Sequence, residues 1–83
     1  MNLYLLDRTD DVGYSEFDSM VVAARSEEEA LTFHPYNGMF GNDWKDTSEY
    51  PSWTTPEYIT ITQIGTTKYI KRSSVVITSF NAG

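Results

Sequence analysis

The stretch SEEEALTFHP, Ser26–Pro35, carries the one helix signal in the chain and also its stop. Ser26 reads as an N-cap, and Glu29 three residues later completes a capping box. Glu27, Glu28 and Glu29 crowd the first turn, where the helix dipole favours negative charge. Ala30, Leu31 and Phe33 supply an apolar side. Pro35 disfavours helical backbone at the residue before it, so the helix must end near His34. One short helix cannot bury a core by itself. The rest of the ordered structure must come from strands.

Four runs have that character. NLYLLDR (Asn2–Arg8) is short, apolar and rich in Leu and Tyr. SMVVAAR (Ser19–Arg25) has β-branched Val21 and Val22. Between them TDDVGYSEFD carries the turn chemistry of paired aspartates and Gly13, so the two runs are expected to pair antiparallel. EYITITQIG (Glu57–Gly65) alternates, with Tyr58, Thr60 and Thr62 on one side and Ile59, Ile61 and Gln63 on the other, as a half-buried strand requires. SVVITSF (Ser74–Phe80) has a β-branched apolar run suited to a sheet interior. A little extra strand is expected around Tyr69 and Ile70. The expected fold is α+β: a small antiparallel sheet of about four strands in the order β-β-α-β-β, one helix on one face, and a long irregular segment between the helix and the third strand. Residues 1–83 read as one domain.

Charge separates along the chain. All twelve acids lie between Asp7 and Glu57, against three cations (Arg8, Arg25 and Lys45), a net of −9. Residues 58–83 hold Lys68, Lys71 and Arg72 and no acid, so the whole chain is at −6. Direct nucleic-acid binding normally needs a basic patch and is not expected here. An acidic body suits a basic partner surface, with attraction that weakens in salt. It also keeps a small protein in solution. Cysteine is absent, so there is no disulfide framework and no thiolate site, which fits a reducing compartment. The apolar run of MNLYLLDRTDD is four residues long with acids close behind, so it reads as neither a signal peptide nor a membrane span.

His34–Tyr58 shows no helix or strand period. Tyr36, Met39, Phe40, Trp44, Tyr50, Trp53 and Tyr58 are interleaved there with Asp43, Asp46 and Glu49. Interfaces enrich Trp, Tyr, Phe and Met, and hot spots favour Trp and Tyr. Acids around such anchors would select a basic partner. A loop of this length also needs apolar pins, and Phe40, Trp44 and Trp53 are candidates for them. At least two large aromatics are expected in the core and at least two at the surface. The partner-binding set is Asp43, Trp44, Asp46, Glu49, Tyr50 and Trp53, with Asp10, Asp11, Glu16 and Asp18 as a second patch. Alanine at Trp44 and Trp53 is expected to abolish binding and leave a folded domain.

Catalytic chemistry finds no motif. His34 is the only histidine. It is placed where a cationic ring would interact well with a helix C-terminus. DRTDD has the composition of a calcium loop without its spaced ligands or closing Glu, and reads first as a solvated turn. The hydroxyls lack a nucleophile elbow or an identifiable base, and there is no phosphate-binding Gly-rich loop. No catalytic residue, cofactor or metal ligand is assigned.

Through VVAARSEEEALTFHP, and again through IGTT and VVITSFNAG, the chain resembles small acidic proteins encoded by bacteriophages and prophages. In these a strand leads into a SEEEA helix that ends in HP, and the chain closes on a strand like SFNAG. The likeness covers most of the chain outside Phe40–Tyr50. Its motifs are structural and transfer no catalytic residue. The class includes anti-CRISPR proteins and other inhibitors of host defence, several of which occupy basic nucleic-acid-binding surfaces of their targets. The resemblance therefore implies a non-enzymatic inhibitor of a host protein, such as a CRISPR effector or another defence nuclease, in the cytoplasm of a bacterial cell, with no membrane partner. The alternative is a self-associating assembly or accessory protein that pairs through a sheet edge or the aromatic segment, for example as a homodimer. A small hydrolase or metal-dependent enzyme is the third reading.

Overall fold

A computed structural model gives the arrangement of residues 1–13, 16–35 and 53–81. Along the chain the elements are β1 (Asn2–Arg8), β2 (Glu16–Ala24), α1 (Glu27–Ala30), a 3-10 turn (Pro56–Tyr58), β3 (Ile59–Thr66) and β4 (Ser74–Asn81). The four strands form one sheet in the order β3-β1-β2-β4, and every neighbouring pair is antiparallel. One sheet with one short helix is a small α+β arrangement. The β1–β2 hairpin fills the centre, with Asn2 opposite Ala24 and Asp7 opposite Ser19.

Alternation decides which side chains meet. Tyr4, Leu6, Met20, Val22 and Ala24 project to one face and are buried there with Phe17, Ala30, Phe33 and Trp53. Ile59 and Ile61 of β3 and Val75 of β4 pack against this cluster from the flanks. Burying each large apolar side chain contributes roughly 1.5–3 kcal/mol. On the other face the register sets Thr62, Leu5, Val21 and Ile77 in one row across all four strands. Leu5 and Val21 are half-buried in that row, while Thr62 and Ile77 are exposed.

Three strand details differ from the sequence reading. β2 begins at Glu16 instead of Ser19, because Phe17 turns into the core and pairing with β4 continues to Glu16↔Asn81. Tyr69 lies in a bend with Lys68, and neither it nor Ile70 forms strand. β4 is an edge strand and not the sheet interior, with Val76 and Ile77 exposed. The ladder also slips by one residue at three places. Ile64 is the extra residue of β3 opposite Leu3 and Tyr4, Val76 that of β4 opposite Val21 and Val22, and Asp18 that of β2 opposite Phe80 and Ser79. Such bulges bend a strand and raise its twist.

α1 is a single turn, shorter than the expected run to His34. Its start follows the capping signal: Glu29 N donates to Ser26 Oγ at 3.1 Å. The Glu29 carboxylate reaches one residue beyond the N-cap and accepts from Arg25 N at 3.0 Å. The helix then tightens. Thr32 N bonds to Glu29 O and Phe33 N to Ala30 O, three residues back, and Thr32 Oγ1 also donates to Glu29 O at 2.6 Å. A hydroxyl on that carbonyl competes with helix continuation. Phe33 and His34 instead turn inward, and His34 is fully buried. His34 lies beyond the end of α1 and is buried in the interior. Residues 36–52 lie outside the described part of the chain. Among the described residues no helix is long and apolar enough to cross a membrane.

Candidate partner-binding surface

Arg8 is the last residue of β1, and its guanidinium organises the start of the β1–β2 connection. Nε and Nη2 form a two-pronged contact with Asp10, each 2.8 Å from a carboxylate oxygen. Nη1 donates to Glu16 Oε1 at 2.8 Å and to Phe17 O at 3.2 Å, and Nη2 donates to Asp11 O at 3.2 Å. These five bonds match the five donors of a guanidinium. The side chain is only 4% exposed, against 26% for each of its carboxylate partners. Hydrogen bonding from Arg8 is the main reason the Asp10 carboxyl lies below the usual carboxylate range, and Asp10 in turn raises Arg8. Thr54 Oγ1 adds a bond to Asp10 Oδ2 at 3.0 Å.

The loop closes on the same cluster. Gly13 N donates to Glu16 Oε2 at 3.0 Å, and Asn81 Nδ2 donates to Gly13 O at 3.1 Å. A Cβ on Gly13 would lie 2.5 Å from Glu16 Oε2, inside contact distance. Any other residue would therefore make the Glu16 carboxylate shift and disturb its bond from Gly13 N. The loop acids were expected to meet a partner. Two of them, Asp10 and Glu16, spend their charge on Arg8.

The remaining acids at this end of the sheet have no ion pair among the described residues. Asp7, Asp11 and Glu57 are exposed, and Asp18 is half-buried at its bulge, accepting from Ser19 Oγ at 3.1 Å. Glu57 arrives here because β3 runs antiparallel to β1, with Thr9 N bonded to Tyr58 O at 2.8 Å. Two exposed aromatics stand among these acids. Tyr58 is 47% exposed, and Phe80 is 45% exposed, its ring 4.9 Å from that of Phe17. No protein-family model matches the chain, and no curated protein and no solved structure matches it.

Trp53 departs from the binding set of the sequence reading. It is 4% exposed and belongs to the core cluster, so it is a pin and not a contact. The expectation that its alanine variant stays folded is corrected accordingly. Its Nε1 is buried without a hydrogen-bond partner among the described residues. Asp43, Trp44, Asp46, Glu49 and Tyr50 lie outside the described residues. Of the segment's large aromatics within the described part, Trp53 is core and Tyr58 is surface.

Sequence reasoning missed Asp7 and Glu57. The alternation of NLYLLDR signals Asp7, which shares a face with Leu3 and Leu5. Nothing local signals Glu57, since its place depends on the order of the strands. The opposite end of the sheet mixes signs, with Glu27 and Glu28 exposed on α1. Lys68, Lys71 and Arg72 are exposed in the connection between β3 and β4. Arg25 pairs with Glu29 at 3.6 Å, and Lys68 Nζ lies 5.5 Å from the centre of the Tyr69 ring. Among the described residues no group of three or more His, Asp or Glu side chains is arranged to hold a metal ion.

Proposed function

We propose that the chain is a non-enzymatic acidic binding protein that inhibits a host protein by covering a basic, nucleic-acid-handling surface. The observation that carries this reading is the sorting of charge around Arg8. Among the described residues, the one cation at the acidic end is sequestered with every donor engaged, and Asp7, Asp11, Asp18 and Glu57 have no ion pair beside exposed Tyr58 and Phe80. Carboxylates spread over one end of a rigid sheet offer a basic groove a substitute for phosphates, and the aromatics supply the anchoring contacts that charge alone lacks. A CRISPR effector or another defence nuclease in the bacterial cytoplasm is the target class that fits, in line with the phage-type resemblance of the sequence.

The test is biological and then chemical. Expression of the chain in a bacterium with an active CRISPR system should restore plating of a targeted phage. The double variant Asp11→Lys/Glu57→Lys changes two exposed side chains and should lose that rescue while its circular dichroism and melting stay unchanged. A tagged chain should retain the effector from that lysate at low salt and release it at high salt. No rescue by the unaltered chain in a panel of defence-bearing hosts, or undiminished rescue by the folded double variant, would overturn the reading.

A further inference from the structure

We infer that the outer edge of β4 pairs with β4 of a second copy, antiparallel about a two-fold axis near Ile77, to make one continuous eight-stranded sheet. The inference is independent of whether a host protein is bound. Edge strands of lone proteins are usually blunted by charge or proline. Ser74–Asn81 contains neither, and its one protective device is the bulge at Val76. Among the described residues β4 also carries three of the six exposed large hydrophobics, Val76, Ile77 and Phe80, whereas the opposite edge strand β3 carries only Ile64.

Two further relations single out a second copy as the occupant. The first is the apolar row of the outer face. Leu5 and Val21 are half-buried, and the row then stops at Ile77, which is 63% exposed at the edge. A two-fold axis perpendicular to the sheet preserves its faces. It sets Ile77 against Ile77 of the copy and joins two truncated rows into one. The second relation is charge. Lys71 and Arg72 lie just before β4, while its far end sits beside Asp18, which has no ion pair among the described residues and bulges opposite Phe80 and Ser79. Antiparallel pairing brings the basic end of each copy alongside the acidic end of the other. Parallel pairing would set like charges together. Charge therefore selects antiparallel over parallel β4–β4 pairing, and the antiparallel pair is a closed, isologous dimer.

Sedimentation of the full chain over a range of concentrations tests this. The expected result is a monomer–dimer equilibrium that shifts toward monomer at high salt. Ile77→Lys should leave a folded monomer at every concentration, and Ile64→Lys on the other edge should leave the dimer intact. Ile77→Thr keeps the β-branched shape and serves if the lysine variant fails to fold. Arg72→Glu should weaken the dimer, and adding Asp18→Lys should restore it at least in part, a recovery only the antiparallel arrangement provides. A monomer at all concentrations, loss of the dimer in Ile64→Lys, or an unchanged dimer in folded Ile77→Lys would overturn the inference.

Discussion

Ser73 Oγ donates a hydrogen bond to Glu29 Oε1, tying the β3–β4 connection to the first turn of α1. The same carboxylate accepts from Arg25 N, so one side chain joins the end of β2, the helix start and the last crossing of the chain. The bond from Ser73 is the main reason the Glu29 carboxyl lies below its ordinary range, with that from Arg25 N next. Ser73→Ala should lower stability by about 1 kcal/mol, the usual worth of one hydrogen bond. For a domain of this size that is roughly 4–8 °C in melting temperature. A melt showing no change would mean that the connection is not anchored through Glu29.

Acid should weaken the fold through Asp10 and Glu29 together. Both carboxyls are depressed in the folded chain, so their contribution is fully present above the ordinary carboxylate range and fades as pH falls through that range toward the depressed values. Denaturant titrations across that window should show the decline. Asp10→Asn should make the acid side of the profile shallower, because the group that carries the linkage is gone.

Removing the guanidinium should cost more than removing either acid. Arg8→Ala leaves Asp10 and Glu16 facing each other without their shared cation. Breaking a fully buried pair costs roughly 3–5 kcal/mol. Both carboxylates keep about a quarter of their exposure, so about 2 kcal/mol is expected here. Adding Asp10→Asn and Glu16→Gln should recover part of that loss. Chemical denaturation of the three variants reads this directly.

Trp53 should behave as core. Trp53→Ala should cost roughly 3–5 kcal/mol, enough to unfold most of so small a domain. Trp53→Phe should be far milder. It deletes a buried N–H without a partner among the described residues, whose burial itself costs about 1–3 kcal/mol, and this offsets part of the lost volume. Equal destabilisation by the two would show that the indole N–H does find a partner.

Adjacent positions on β2 should report the two faces. Met20 is 1% exposed and Met20→Ala should cost roughly 2–5 kcal/mol. Val21 projects to the half-buried outer row, and Val21→Thr should stay within about 1 kcal/mol. Reversed magnitudes would require the register to slip by one residue.

Much of this was legible locally. The strand of NLYLLDR, the alternation of Ile59 and Ile61, and the Ser26–Glu29 cap each depend on neighbours in sequence, and each stands where periodicity placed it. Helix length was misjudged because Thr32 spends its hydroxyl on Glu29 O, a competition that periodicity does not register. β4 was read as interior because an uncharged β-branched run normally signals burial. Its edge position follows from the strand order, which no local pattern encodes. The candidate surface was legible for the same range only. The turn acids stood out by composition, but the arginine that claims two of them, and the arrival of Glu57, are products of the tertiary pairing.

The central placement of the β1–β2 hairpin has a consequence for biosynthesis. Asn2 finds its outer neighbour in Thr66, and Glu16 finds its own in Asn81. The hairpin is thus translated first and flanked last, with both sides bare while the intervening chain is made. A ribosome paused before Thr66 holds a hairpin bare on both sides, one paused between Thr66 and Asn81 a sheet that lacks one flank, and chaperone engagement should concentrate in that interval.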